Sequence, residues 1–280
     1  FQPRDAQPPV TDIVGGGPFR LEAGQWTDDT AMALALADSL LAAPALDAAD
    51  LQRRFLSWAE RGDYSATGTC FDIGQTTLMA IGRYRRTGEP FAGDSSPWAA
   101  GNGSIMRLAP VAIRWWQDPA TAERVARDQS ATTHAAAECL DACSLLVGTL
   151  IHAIRGQTRA EVLAPGSDPA WTPKIGAIAE GGWAHKTRAQ IRATGYVVDT
   201  LAAAFWAVQT TTSFTDAVIR AVNLGDDADT VGAVTGQIAG ALYGAAAIPE
   251  AWRARLSWSD GISGRAEDLF AASGIGPGDA

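Results

Sequence analysis

Residues 228–248 read ADTVGAVTGQIAGALYGAAAI, and Asp229 is the single charged residue in the run. The run approaches the ~20 apolar residues that cross a bilayer. It also carries Thr230, Thr235 and Gln237. Three acids, Asp226, Asp227 and Asp229, crowd its start with no basic residue beside them. Gly232, Gly236, Gly240 and Gly244 recur every four residues, which lines them up on one helical face. Small residues on one face let a second backbone approach closely, in soluble cores as in membranes. The stretch therefore predicts a buried central helix of a soluble protein, and with it a core built from helices.

On either side of this run helical patterns dominate. Residues 30–43 are mostly Ala and Leu, good helix formers, with no Gly or Pro. Asp50 is placed to cap a helix over 51–60, with Leu51, Phe55 and Trp58 on one face. Further helices are expected over 75–86, 104–116, 119–130, 135–155, 199–210, 214–222, 249–256 and 265–273. Ser213 followed by Asp216 resembles a capping box opening the 214–222 helix. The strand-like runs 10–14 and 196–198 are too short to build a sheet, and 164–171 reads as a loop. No repeat, linker or charge run divides the chain. The expectation is an all-α fold, one domain over residues 1–280.

A net charge of -9 argues against nonspecific nucleic-acid binding, whose affinity comes from Lys and Arg on phosphate. It argues equally against an anionic membrane surface, while surplus carboxylates suit metal cations. Cys70, Cys139 and Cys143 form no complete disulfide framework and read as reduced thiols of a cytoplasmic protein. Cys139 and Cys143 share a helical face near His134, but the second pair that zinc sites usually need is missing. The chain opens at Phe1 and shows no secretory signal.

Four elements carry chemistry. At the head of the first Ala/Leu helix stand Trp26, Thr27, Asp28, Asp29 and Thr30, more acid than a helix cap needs. Gly225, Asp226, Asp227, Ala228, Asp229 and Thr230 open the glycine-striped helix, and three acids so close repel one another unless a cation sits among them. Mg²⁺ and Mn²⁺ are the hard, oxygen-seeking candidates. Gly101, Asn102, Gly103 and Ser104 precede a helix, where Gly lets the backbone come close to a phosphate, although the same residues also make an ordinary turn. The fourth is Thr132-Thr133-His134, although a lone histidine is more often a satisfied structural residue than a catalyst.

In this order the four elements resemble the ADP-ribosylglycohydrolase family. The matching residues are WTDDT at 26–30, GNGSIMR at 101–107, Thr133-His134, GDDADT at 225–230 and the glycine-rich continuation after it, within a span of about 14–244. The resemblance implies a compact orthogonal multi-helix bundle with two divalent cations, Mg²⁺ or Mn²⁺. By similarity Thr27, Asp28 and Asp29 supply one set of metal ligands and Asp227, Asp229 and Thr230 the other. Gly101, Asn102, Gly103 and Ser104 are expected to hold the diphosphate and its ribose, with His134 in the same cleft. Asp72, in the family-like segment 70–74, would face the leaving group, and Asp28 or Asp29 would take the proton of the attacking water. Family members begin with a helix carrying G-D-x-x-G; this chain begins where that segment would end, so a domain without the first helix is expected.

The implied activity is metal-dependent hydrolysis of the ribose anomeric bond in an ADP-ribosylated protein, arginine-linked in preference, through an oxocarbenium-like transition state. The expected partner is the ADP-ribose moiety of a modified protein or small conjugate, and the expected state a cytoplasmic monomer. Two alternatives stand beside it. One is an ADP-ribose-binding module that has lost catalysis; the other is a metal-dependent hydrolase of another phosphorylated nucleoside, disfavoured by the GNGS and Thr-His elements.

Overall fold

The computed structural model describes residues 2–274. Helical residues make up 59% of them, and extended segments pair only in isolated bridges such as Gly101 with Tyr196. The helices are α1 (Asp28–Ala42), α2 (Ala48–Arg61), α3 (Gln75–Thr87), α4 (Ala109–Trp115), α5 (Pro119–Ala131), α6 (Ala137–Ile154) and α7 (Arg159–Leu163). They continue as α8 (Pro173–Ala179), α9 (Val197–Gln209), α10 (Phe214–Val222), α11 (Ala228–Tyr243), α12 (Glu250–Arg255) and α13 (Ser259–Ala271). The fold is all-α.

The hub is α6, which packs against α4, α5, α7, α8, α9 and α11. Among the described residues it is the one helix long and apolar enough to cross a membrane, yet 67% of its 18 residues are buried inside the fold, so it serves as the core helix. Helix α11 is shorter than the apolar run 228–248: it stops at Tyr243, where Gly244 turns away at φ +78°. Its glycine stripe is used at one point above all. A Cβ on Gly232 would sit 2.9 Å from Val222 Cγ1, so Gly there lets α10 and α11 close on each other. At the head of α11, Asp227 is thereby buried and Asp229 stays exposed beside it.

Other expectations change in detail. The cap of α2 is Asp47, which accepts from the amides of Ala49 and Asp50, while Asp50 bonds Arg54 at 2.6 Å. The helix expected over 104–116 begins only at Ala109, because Pro110 fits a first turn and residues before it are held in loop turns. The last helix begins at Ser259 rather than 265, with Gly261 and Gly264 inside it, and Arg265 ties it to Asp38 of α1 at 2.6 Å. The short α7 and α8 were not foreseen, although Thr158 and Glu161 form a full capping box on α7.

Candidate active site

The acids converge from three segments. Asp28 and Asp29 occupy the first turn of α1, Asp227 and Asp229 the start of α11, and Asp72 the loop before α3. One carboxylate oxygen each from Asp28, Asp72 and Asp229 lie within 4.8 Å of one another. The Thr27 hydroxyl, at the α1 N-cap, is 2.9 Å from Asp29 Oδ2 and 3.2 Å from Asp229 Oδ2. Neither Thr27 nor Asp227 caps its helix through its side chain, which frees both for the site. Asp72 is no cap either: the N-cap of α3 is Gly74. Its backbone takes the left-handed conformation, φ +57°, which Asp tolerates better than most residues.

Charge without compensation marks this wall. Burial, then the neighbouring charges of Asp29, Asp72 and Asp229, push the Asp28 carboxyl well above the usual carboxylate range. Burial and then Asp229 raise Asp29 to about 8. Burial raises Asp227 to about 6 and, with the charge of Asp229, raises Asp72. The ion pairs of the fold lie elsewhere, as at Arg265–Asp38 and Arg127–Asp141, and among the described residues none includes these five acids. Asp29 Oδ1 is buried with no hydrogen-bond partner. Hard oxygen donors, an orphaned carboxylate oxygen and unmatched negative charge fit divalent cations.

Opposite stands a neutral wall. Asn102 Nδ2 donates to Asp227 Oδ2 at 2.6 Å and to Thr200 Oγ1 at 2.9 Å. The connector before α9 clamps both sides: Asn102 N donates to Gly195 O and Asp227 N to Ala193 O. From below, Gln237 of α11 donates to the carbonyls of Ile105 and Met106. A Cβ on Gly103 would meet His134 Cε1 at 2.7 Å, so this loop lies flat on the imidazole because it has no side chain there. Cys139 and Cys143, the pair considered for zinc, are free thiols that donate to Gly101 O and Ser104 Oγ and buttress the loop.

A cavity of about 300 Å³ runs between the walls, lined by Asp28, Asp72, Asn102, Gly103, His134, Asp227, Asp229 and Thr230 among others. A second, of about 940 Å³, opens on the far side of the acids, and the two share Asp72 and Asp229. Thr27 borders the larger cavity. Two expected substrate contacts, Gly101 and Ser104, do not line the smaller one. Ser104 is fully buried, its hydroxyl against Cys143, and Gly101 packs against the His134 ring with its carbonyl held by Cys139. Thr76, Thr77 and Gly195 line this cavity without having been expected, and Thr200 supports Asn102 from beneath. No motif marks these four, since each becomes relevant only through chain packing.

A family model described as ADP-ribosylglycohydrolase matches residues 1–277. An ADP-ribosylarginine hydrolase, Tri1, from Pseudomonas putida (strain GB-1) is 44% identical over 278 residues, covering 96% of this chain and 72% of that protein. The ADP-ribosyl-dinitrogen reductase glycohydrolase of Rhodospirillum rubrum is 33% identical over 244 residues, covering 87% and 78%. Among solved structures, a chain described as an ADP-ribosylglycohydrolase-related protein complex superposes with a TM-score of 0.86 at 39% identity, over 97% of this chain and 90% of that one.

Proposed function

The chain belongs to the ADP-ribosylglycohydrolase family and is a glycohydrolase enzyme, and from that premise we propose that it cleaves the bond from the ribose anomeric carbon to an arginine nitrogen of an ADP-ribosylated protein. Two cations, Mg²⁺ or Mn²⁺, would be held by Thr27, Asp28, Asp29, Asp227, Asp229 and Thr230. When bound, such cations supply positive charge that draws the ribose hydroxyls and makes a nearby water more acidic. Of Asp28 and Asp29, Asp28 lines the cavity, and on this reading it would accept the proton of the attacking water. Asn102, Gly103 and His134 receive the diphosphate and its ribose in the smaller cavity. Asp72 lines both cavities, where a carboxylate would make charge-assisted bonds to a guanidinium leaving group.

The observation that carries this reading is the meeting of Asp28, Asp72 and Asp229 within 4.8 Å at the junction of two cavities. The arginine linkage draws its support from the 44% identical relatives named for it. The test is a turnover panel on arginine-linked and serine-linked ADP-ribosyl peptides, with Mg²⁺, Mn²⁺ or a chelator. ADP-ribose released from the arginine-linked peptide, and lost on chelation, is the expected result. Preference for serine would overturn the linkage, and tight ADP-ribose binding without release would make the protein a reader.

A further inference from the structure

Behind the neutral wall stands a buried cation. Arg107 is fully buried and forms no ion pair among the described residues. Its Nε donates to Gln129 Oε1 at 2.8 Å, and its Nη2 donates to Gln129 O at 2.8 Å and to Thr133 Oγ1 at 2.9 Å. The Phe55 ring lies 4.7 Å from Cζ. Burial pulls Arg107 down to about 9, so it is a cation at neutral pH. A guanidinium has donors and no acceptor. Thr133 Oγ1 therefore receives a hydrogen from Arg107, and its own hydrogen must go elsewhere.

Thr133 is fully buried, and the acceptor within reach of its hydroxyl is His134 Nδ1, at 2.8 Å. Had Nδ1 carried a proton, two donors would face one hydroxyl and its hydrogen would be stranded, at a cost of about 1–3 kcal/mol. The hydroxyl hydrogen therefore points at Nδ1, and the single proton of the ring sits on Nε2. Nε2 leans over the loop, 3.2 Å from where a Cβ on Gly101 would stand and 3.1 Å from one on Gly103. It has no hydrogen-bond partner among the described residues, and His134, only 2% exposed, lines the 300 Å³ cavity. Burial, then the charge of Arg107, pushes the imidazole down to about 3, which agrees with a neutral ring.

We propose that Arg107 and Thr133 are positioning residues that lock His134 as the neutral Nε2–H tautomer, so that it offers the ligand a permanent, uncharged N–H donor at the 101–103 loop. The ligand half of this rests on the cavity taking ADP-ribose, whose phosphate and ribose oxygens are the matching acceptors. His134 is thereby a binding group and takes no part in acid–base chemistry.

The test is imidazole ¹⁵N spectroscopy of the full chain labelled at its three histidines. Without ligand, His134 is expected to show a bare Nδ1 and a protonated Nε2, unchanged between about pH 5 and about pH 9. A protonated Nδ1, or titration inside that range, overturns the lock. Thr133→Val keeps the side-chain shape and removes the O–H; the proton should move toward Nδ1 and ADP-ribose bind about tenfold more weakly. Thr133→Ser should restore both, and an unchanged tautomer with unchanged affinity in Thr133→Val overturns the assignment. Added ADP-ribose should shift the Nε2–H resonance. Binding without that shift overturns the donor role and leaves the glycohydrolase reading standing. No binding at all overturns the ADP-ribose reading, while the ligand-free spectrum still decides the lock.

Discussion

The two walls of the smaller cavity are built on opposite principles. On one, Asp28, Asp29, Asp72, Asp227 and Asp229 crowd together without a counter-charge, and burial holds four of them above the usual carboxylate range. On the other, Arg107, Gln129, Thr133 and the 101–104 loop satisfy one another in a buried network. One wall is incomplete until positive charge arrives; the other lacks only an acceptor for His134 Nε2. Stability is spent on the first, where clustered charge is the working part, and the second keeps a rigid backbone against which a ligand can be placed.

The largest effect expected from breaking this division is at Asp229. Asp229→Asn removes a charge from the acid wall and should lower turnover more than about 100-fold, beyond what loss of a supporting contact around a metal costs. Excess Mg²⁺ or Mn²⁺ should rescue little, as a metal titration of steady-state rates will show.

The pH dependence of stability comes next. A carboxyl raised in the folded state binds its proton more tightly there than in the unfolded chain. The metal-free protein should therefore lose stability as pH rises from about 4 to about 8, the interval between the ordinary value and that of Asp29. Divalent cations should raise the melting temperature by at least about 5 °C at pH 8 and clearly less at pH 5. A flat metal-free profile in scanning fluorimetry would remove the electrostatic basis of the acid wall.

Asn102 joins the walls and sharpens the contrast. Read as a loop residue alone, Asn102→Ala should raise KM with kcat nearly unchanged. Its 2.6 Å bond to Asp227 adds a second expectation, metal affinity weakened by about 10–100-fold. Calorimetry with metal and with ADP-ribose separates the two. An intact metal affinity would confine Asn102 to the neutral wall.

The smallest effect expected is at Asp72. Asp72→Ala should shift preference away from the arginine-linked substrate by about tenfold relative to the serine-linked one, since a carboxylate bonds a guanidinium and has no such partner in serine. Equal losses on both linkages would assign Asp72 to the acid cluster alone.

Much of this was legible in the chain. Runs such as 30–43 and 119–130 became α1 and α5 nearly to the residue, because apolar spacing and the lack of Gly or Pro are local properties. The acid clusters were visible because three acids in four positions need an explanation whatever the fold. Misreadings fell where long-range contacts override local preference. Residues 104–108 have no local reason to avoid a helix, yet Ser104 and Arg107 are drawn inward by Cys143 and Gln129 and hold that stretch in turns.

By itself the sequence determined the helix-built core, the residues able to hold hard cations and the glycines that let the 101–103 loop lie close to another group. These depend on periodicity, side-chain chemistry and the steric freedom of a missing Cβ, all of which act within a few residues. Tertiary structure alone decided that Asp72 joins Asp28 and Asp229, that Ser104 faces away from the cavity, and that the Arg107 cation is satisfied by Gln129 and Thr133 in place of an acid. Thr27 and Asp229 meet across 202 positions. Such meetings are set by how α1, α6 and α11 pack, and no local pattern in the chain records them.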